Sequence, residues 1–144
     1  EMDTVEGLKK EGDCFLTLLW RKSKFMLIFK LESQTTEEVT RVFEILQTII
    51  PLDIYKYLFQ IILTDNGHEF IRYVLPKGSS FKNIIQEDCN LIMNNINSLC
   101  RDSLNGKSPY EAMLFLCDEY ILKLLDCYYI EPDNVNLSNN LLKY

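Results

Sequence analysis

Two nearly continuous apolar runs, Phe15-Leu16-Thr17-Leu18-Leu19-Trp20 and Phe25-Met26-Leu27-Ile28-Phe29-Lys30, are separated only by Arg21-Lys22-Ser23-Lys24. Apolar runs broken by a short polar turn predict a β-hairpin. Neither run alternates, so both faces of its sheet are expected to be covered, as when helices pack on each side. Thr35-Thr36-Glu37-Glu38 has the pattern of a capping box, and Val39, Val42, Phe43, Leu46, Ile49 and Ile50 follow at helical spacing up to Pro51. This predicts an amphipathic helix whose apolar stripe is core. Leu52 to Gln60 reads as either helix or loop.

Further along, Ile61-Ile62-Leu63 predicts a short buried strand that ends on Thr64-Asp65 and turns at Asn66-Gly67. Met2-Asp3-Thr4-Val5 predicts another strand, closed by Gly7. A second helix is expected from about Gln86, with Cys89, Ile92, Met93, Ile96, Leu99 and Cys100 as its stripe. Ser108-Pro109-Tyr110-Glu111 combines an N-cap, a first-turn proline and an acid three residues after the cap, and so opens a third helix to about Leu116. Asp118 to Tyr128 predicts a further short helix, and Asn134 to Tyr144 reads as a polar tail with few core residues. Strand, hairpin, crossover helix and strand in this order specify an α/β fold in which Asp3 and Asp65 lie near one another.

Composition sets the class. A chain of 144 residues, 47% hydrophobic and 25% charged, is long enough for one full core. The net charge of −6 and pI near 4.8 argue against a protein that holds nucleic acid by charge alone. Carboxylates gathered for metal binding would lower the net charge, and bound cations would restore positive potential where a phosphate sits. The odd set Cys14, Cys89, Cys100, Cys117 and Cys127 has no Cys-x-x-Cys pair, which favours reduced, mostly buried thiols over a disulfide framework or zinc site and suggests a reducing cytoplasm. No signal peptide and no membrane-length apolar run is present, so no membrane partner is expected. A chain opening on Glu1, two residues before a candidate Asp, reads as cut from something longer.

Two aspartates on neighbouring strand ends make a hard oxygen site of the kind that selects Mg²⁺ or Mn²⁺. An Asp before Asn-Gly is also common turn chemistry, because Asp and Asn hydrogen-bond their own backbone. Both readings of Asp65 stand on these residues alone. The ordered set of Asp3-Thr4-Val5-Glu6-Gly7, the hairpin with its basic turn, Thr64-Asp65-Asn66-Gly67-His68-Glu69-Phe70, Leu75-Pro76-Lys77-Gly78-Ser79-Ser80-Phe81 and Leu104-Asn105-Gly106-Lys107-Ser108-Pro109-Tyr110-Glu111-Ala112 covers most of the chain. It resembles the retroviral-integrase-like catalytic core, and more narrowly the transposases of the insertion-sequence-thirty family.

That resemblance implies an RNase H-like mixed sheet flanked by helices and a D, D, E carboxylate triad, with Asp3 and Asp65 as the first two members. It implies two divalent ions, metal-dependent cleavage and strand transfer on double-stranded DNA at element ends and target, a homo-oligomer, and a bacterial, cytoplasmic, nucleoid-associated setting. The catalytic core would span 1–130, with 131–144 as a C-terminal tail. The third acid is missing: no acidic residue stands between Glu69 and Glu87, and Ile71-Arg72-Tyr73-Val74-Leu75-Pro76 resembles the stretch beyond the helix that would carry it. A segment omitted between Phe70 and Ile71 is the expectation, with Ile71 to Leu75 the nearest candidate for a further strand. Glu87 is a poor substitute, because acids occupy first helical turns for dipole reasons.

Asn66, His68 and Glu69 are accessory candidates. His68 also reads as a solvated turn residue, and Glu69 as a helix-start acid. Arg21, Lys22, Lys24 and Lys77 are candidate DNA contacts, against the plainer reading of the basic turn as a solvated hairpin tip. Without the third carboxylate, a nuclease lacking strand transfer and a non-catalytic DNA- or protein-binding remnant are the alternatives.

Overall fold

The computed structural model describes residues 1–8, 12–64, 71–76 and 78–142, with residues 72 and 73 described in their backbone only. The architecture is mixed α/β. Strands β1 (Met2–Glu6), β2 (Cys14–Leu19) and β3 (Met26–Leu31) form an antiparallel sheet in the order β1-β2-β3. The hairpin of the two apolar runs is present in the expected place, with Phe15 facing Lys30 and Leu18 facing Leu27. Phe15, Leu16, Thr17 and Leu18 are all buried, so the non-alternating pattern does mark a strand covered on both faces.

Helix α1 (Thr36–Ile49) follows β3 and buries Val42 and Leu46, with Ile50 as its buried C-cap. Thr35 caps it by accepting from the Glu38 N–H at 3.4 Å, but the capping box does not close. The Glu38 carboxylate pairs instead with Arg41 at 2.8 Å. Leu52–Leu58, open between helix and loop in the sequence, is helix α2. A helical turn α3 (Ile71–Val74) stands where Ile71 to Leu75 was the candidate strand. Ile71 and Val74 are three apart and both buried, a spacing that seats both on one helical face but splits them across a strand. On the sheet, the Phe81 ring stacks on Phe15 with centroids 4.2 Å apart. A Cβ at Gly7 would come within 2.9 Å of the Phe81 ring, which explains the glycine just past β1.

Helix α4 (Gln86–Ser98) shows the expected stripe, with Cys89, Ile92, Met93 and Ile96 buried. It is also buried on its polar side, which the stripe did not indicate: Asn94, Asn95, Asn97 and Ser98 are each at most 2% exposed. Apart from the Asn95 amide, which donates to the Leu91 carbonyl of the same helix at 2.9 Å, their partners are backbone groups of other segments. Asn97 donates to the Met26 carbonyl at 2.7 Å and accepts from the Met26 N–H at 2.8 Å. Gln86, at the other end of α4, accepts from the Lys30 N–H at 2.8 Å and donates to the Ile28 carbonyl at 2.9 Å. Met26, Ile28 and Lys30 alternate along β3, so α4 serves four hydrogen-bonding groups on the edge away from β2, the Met26 N–H and carbonyl, the Ile28 carbonyl and the Lys30 N–H.

Helix α5 (Pro109–Met113) opens on a closed capping box: Ser108 accepts from the Glu111 N–H at 3.2 Å, and Glu111 accepts from the Ser108 N–H at 2.7 Å. It is shorter than expected, ending before Leu116. Helix α6 (Glu119–Leu124) is capped by Asp118 and stops well before Tyr128. Asp126 turns left-handed with φ 55°, and the Cys127 N–H returns to the Leu122 carbonyl at 2.8 Å, which buries Cys127. The polar tail is tied down more than its composition indicated. Asn95 accepts from the Asn136 N–H at 2.7 Å, and Leu137, Leu141 and Leu142 pack against the core.

Two stability outcomes follow from these contacts. Asn97→Leu leaves a buried N–H and a buried carbonyl of Met26 unpaired, so unfolding free energy from urea titration should fall by roughly 2–5 kcal/mol. The Ser108 amide and hydroxyl hold the Glu111 carboxyl below the ordinary glutamate range. A carboxyl lowered in the folded state adds stability above its unfolded value, about 4.3, and loses it as the pH falls through the folded value. Glu111→Gln should therefore flatten the acid limb of the stability curve, measured as Tm against pH.

Candidate functional site

Asp3 lies in the middle of β1, half-buried, opposite Thr17 of β2 and in line with Ile28 of β3. Side chains directly opposite in neighbouring strands share a face, so Asp3 stands on the face that carries Val5, Thr17 and Ile28. Thr17 is buried and donates its hydroxyl to the Asp3 carbonyl at 3.2 Å. This bond fixes the backbone that bears the carboxylate.

Along the side of β1 away from β2, Thr64 forms a parallel bridge with Met2, and the Met2 N–H donates to the Leu63 carbonyl at 2.6 Å. Asp3 follows Met2 and Asp65 follows Thr64 in the sequence; each candidate carboxylate is thus the chain neighbour of one half of the bridge. Asp65, Asn66, His68, Glu69 and Lys77, and the Phe70–Ile71 junction, lie outside the described residues. Among the described residues no three His, Cys, Asp or Glu side chains gather as a metal site.

The expected buried strand at Ile61 to Leu63 is not formed. These residues stand outside the sheet and are 79%, 42% and 47% exposed. An apolar run specifies neither its pairing nor its cover, and here pairing amounts to one bridge at Thr64. They form one wall of a groove of about 400 Å³ between α2 and the β2–β3 turn, with Trp20, Leu58 and Phe59 opposite and Arg21 and Lys22 at the rim. Trp20 donates its indole N–H to the Leu58 carbonyl at 3.1 Å and meets Phe59 edge-on at 5.4 Å. Sequence reasoning missed this groove. The available signal was a tryptophan, the sole one in the chain, at a strand end beside two cations.

The basic turn is more than a solvated tip. Ser23 is buried between its charged neighbours, its hydroxyl 3.8 Å from the Met113 sulfur and accepting from the Phe25 N–H. Arg21 pairs with Glu1, Lys22 is exposed, and Lys24 is half-buried with φ 57°. Arg21 and Lys22 thus stay at the surface beside the groove, whereas Lys24 is partly covered.

The cysteines match the plain reading: all five are unbridged, and only Cys100 is exposed. Burial pushes the Cys14 and Cys117 thiols up to about 11 and that of Cys89 to about 12, and raises Cys127 further. Such thiols supply no nucleophile at neutral pH. No helix among the described residues is long and apolar enough to cross a membrane. Compared with protein-family models, with curated proteins and with solved structures, the chain matches none.

Brief treatment of the native protein with iodoacetamide near pH 8 should label Cys100 alone, with the other four modified only after denaturation. Peptide mass spectrometry reads the outcome, and rapid native labelling at Cys14 or Cys89 would contradict the packing described.

Proposed function

We propose that this chain is an RNase H-like catalytic core that cleaves and joins DNA strands, of the kind found in insertion-sequence transposases, with Asp3 and Asp65 as its metal-binding carboxylates. The observation that carries this reading is the Met2–Thr64 bridge. It sets the segment before Asp65 parallel to β1, on the side opposite β2, after a crossover through α1 and α2. In open α/β sheets, functional groups gather at the ends of such parallel neighbours.

The residues suit a hard divalent cation: two carboxylates on adjacent segments are the usual protein share of a Mg²⁺ or Mn²⁺ shell, the remainder being water and substrate phosphate. Such an ion, when bound, would lower the pKa of a bound water and offset charge on the phosphate. The chain's part is to hold Asp3 in fixed register. Thr17 does this for the Asp3 backbone, and β2, buried on both faces, makes the platform stiff. No protein nucleophile is required, in keeping with the burial of four of the five thiols. Hydrolytic nicking and strand transfer would then differ only in whether water or a DNA 3′-hydroxyl attacks.

A second reading has a specific observation in its favour. The sequence has no third acid between Glu69 and Glu87, and α3 is a helical turn where a further strand was expected. A core lacking that acid would bind DNA or protein without cutting.

Asp3→Asn should reduce Mg²⁺-dependent nicking of a supercoiled plasmid by more than the roughly 100-fold that losing an outer-shell partner of a metal costs, with the circular dichroism spectrum unchanged. Strand transfer of donor ends into a target plasmid separates transposase from simple nuclease. Wild-type protein that binds DNA but never nicks it with Mg²⁺ or Mn²⁺ would establish the second reading.

A further inference from the structure

We infer that the groove beside Trp20 seats one unstacked base of the DNA strand on which the site acts, an inference that rests on the reading just given. The Trp20 ring is fixed in advance. Its indole N–H is satisfied by the Leu58 carbonyl at 3.1 Å, and Phe25 and Phe59 hold the ring from the sides with centroids 6.0 and 5.4 Å away. The Trp20 ring therefore offers a ligand its aromatic surface rather than its N–H, beside the aliphatic wall of Ile62 and Leu63. Every nucleobase has a π-face that such a surface can stack, whatever its sequence.

Size and charge agree with that occupant. About 400 Å³ is in the range of small-ligand sites, enough for a base but not for a folded segment. Arg21, held by Glu1, and Lys22 stand at the rim, where the phosphates flanking an inserted base would run. In a chain of net charge −6, this is a place where cations border an aromatic wall.

Position connects the groove to the candidate carboxylates. Glu1 and Leu63 line it, and both adjoin the Met2–Thr64 bridge. Asp3 is two residues beyond Glu1 along the strand, about 7 Å away, or roughly two steps of 3.4 Å along a DNA strand. A base lodged here would belong to a nucleotide at least two steps from the phosphate presented to Asp3, because Trp20, two positions past Leu18, stands on the face of the sheet opposite Asp3. Holding it out of the stack would keep the strand end from re-pairing during reaction.

Because Trp20 is the sole tryptophan, its fluorescence reports on the groove alone. End-labelled oligothymidylate and an abasic oligonucleotide of equal length would be titrated into the protein without divalent metal. Label anisotropy measures binding, and tryptophan emission measures occupancy of the groove. Oligothymidylate should quench the emission saturably by roughly half, with the abasic strand binding but leaving it nearly unchanged. Phe59→Leu, and separately Trp20→Leu read by anisotropy, should weaken oligothymidylate binding about 10-fold and abasic binding much less. Equal quenching by both strands, or binding with no quenching, overturns the groove inference and leaves the catalytic reading standing. No anisotropy change with either strand likewise overturns this inference, and plasmid nicking with Mg²⁺ then decides the catalytic reading separately.

Discussion

The open edge of β3 is the constraint on which the rest of the structure depends. An unpaired strand edge presents a row of N–H and C=O groups that must be satisfied or shielded. Here a helix supplies the partners. Gln86 and Asn97 sit at opposite ends of α4, eleven positions or about 16 Å apart at 1.5 Å per residue. Between them they serve Met26, Ile28 and Lys30. The same helix turns Asn94 to the Asp126 carbonyl and the Tyr128 N–H, Asn95 to the Asn136 N–H and Ser98 to the Ile130 N–H. One helix thus fixes both the sheet and the C-terminal segments around it. The arrangement works because a carboxamide is donor and acceptor at once and can replace a missing strand residue by residue.

The opposite side of the sheet is organised differently. β1 receives a single parallel bridge at Thr64, and the residues leading to it keep much of their apolar surface in solvent. The sheet is therefore asymmetric, sealed by side-chain amides at β3 and lightly paired at β1. Candidate chemistry sits on the lightly paired side, where backbone groups and aromatic surface stay accessible. Sites on such margins can exchange partners without disturbing a core whose hydrogen bonds are closed elsewhere.

What the sequence revealed was local. The hairpin, α1, the start of α4 and the Ser108–Glu111 cap each depend on residues within a few positions of one another, and each appeared where its pattern predicted. Failures arose where a partner lay far along the chain. Nothing near Asn97 shows that its amide will meet Met26, 71 residues away, so the apolar stripe carried no sign that three asparagines beside it are buried. Ile61 to Leu63 have the composition of a covered strand, but cover is supplied by other segments and is not encoded in the run. Ile71 to Leu75 was the candidate for a further strand, and the burial of Ile71 and Val74, three positions apart, goes with a helical turn instead. At the candidate site, Asp3 on a strand was legible from its β-forming neighbours. The Trp20 groove was not, because it exists only once α2 turns back over the end of β2.

The amides of α4 also bear on how the protein ages. Asn94-Asn95 and Asn97-Ser98 are segments in which, in a loose chain, the next backbone nitrogen can attack a side-chain carboxamide and release ammonia. In the folded state each of these carboxamides is held at both ends, so the rotation that the attack needs is blocked. Unfolding removes the restraint. A chain that lingers open would convert an asparagine to a carboxylate, and at position 97 that charge would then face the Met26 carbonyl it once donated to. Refolding would be lost a little at each excursion, and reversible melting would become an irreversible clock.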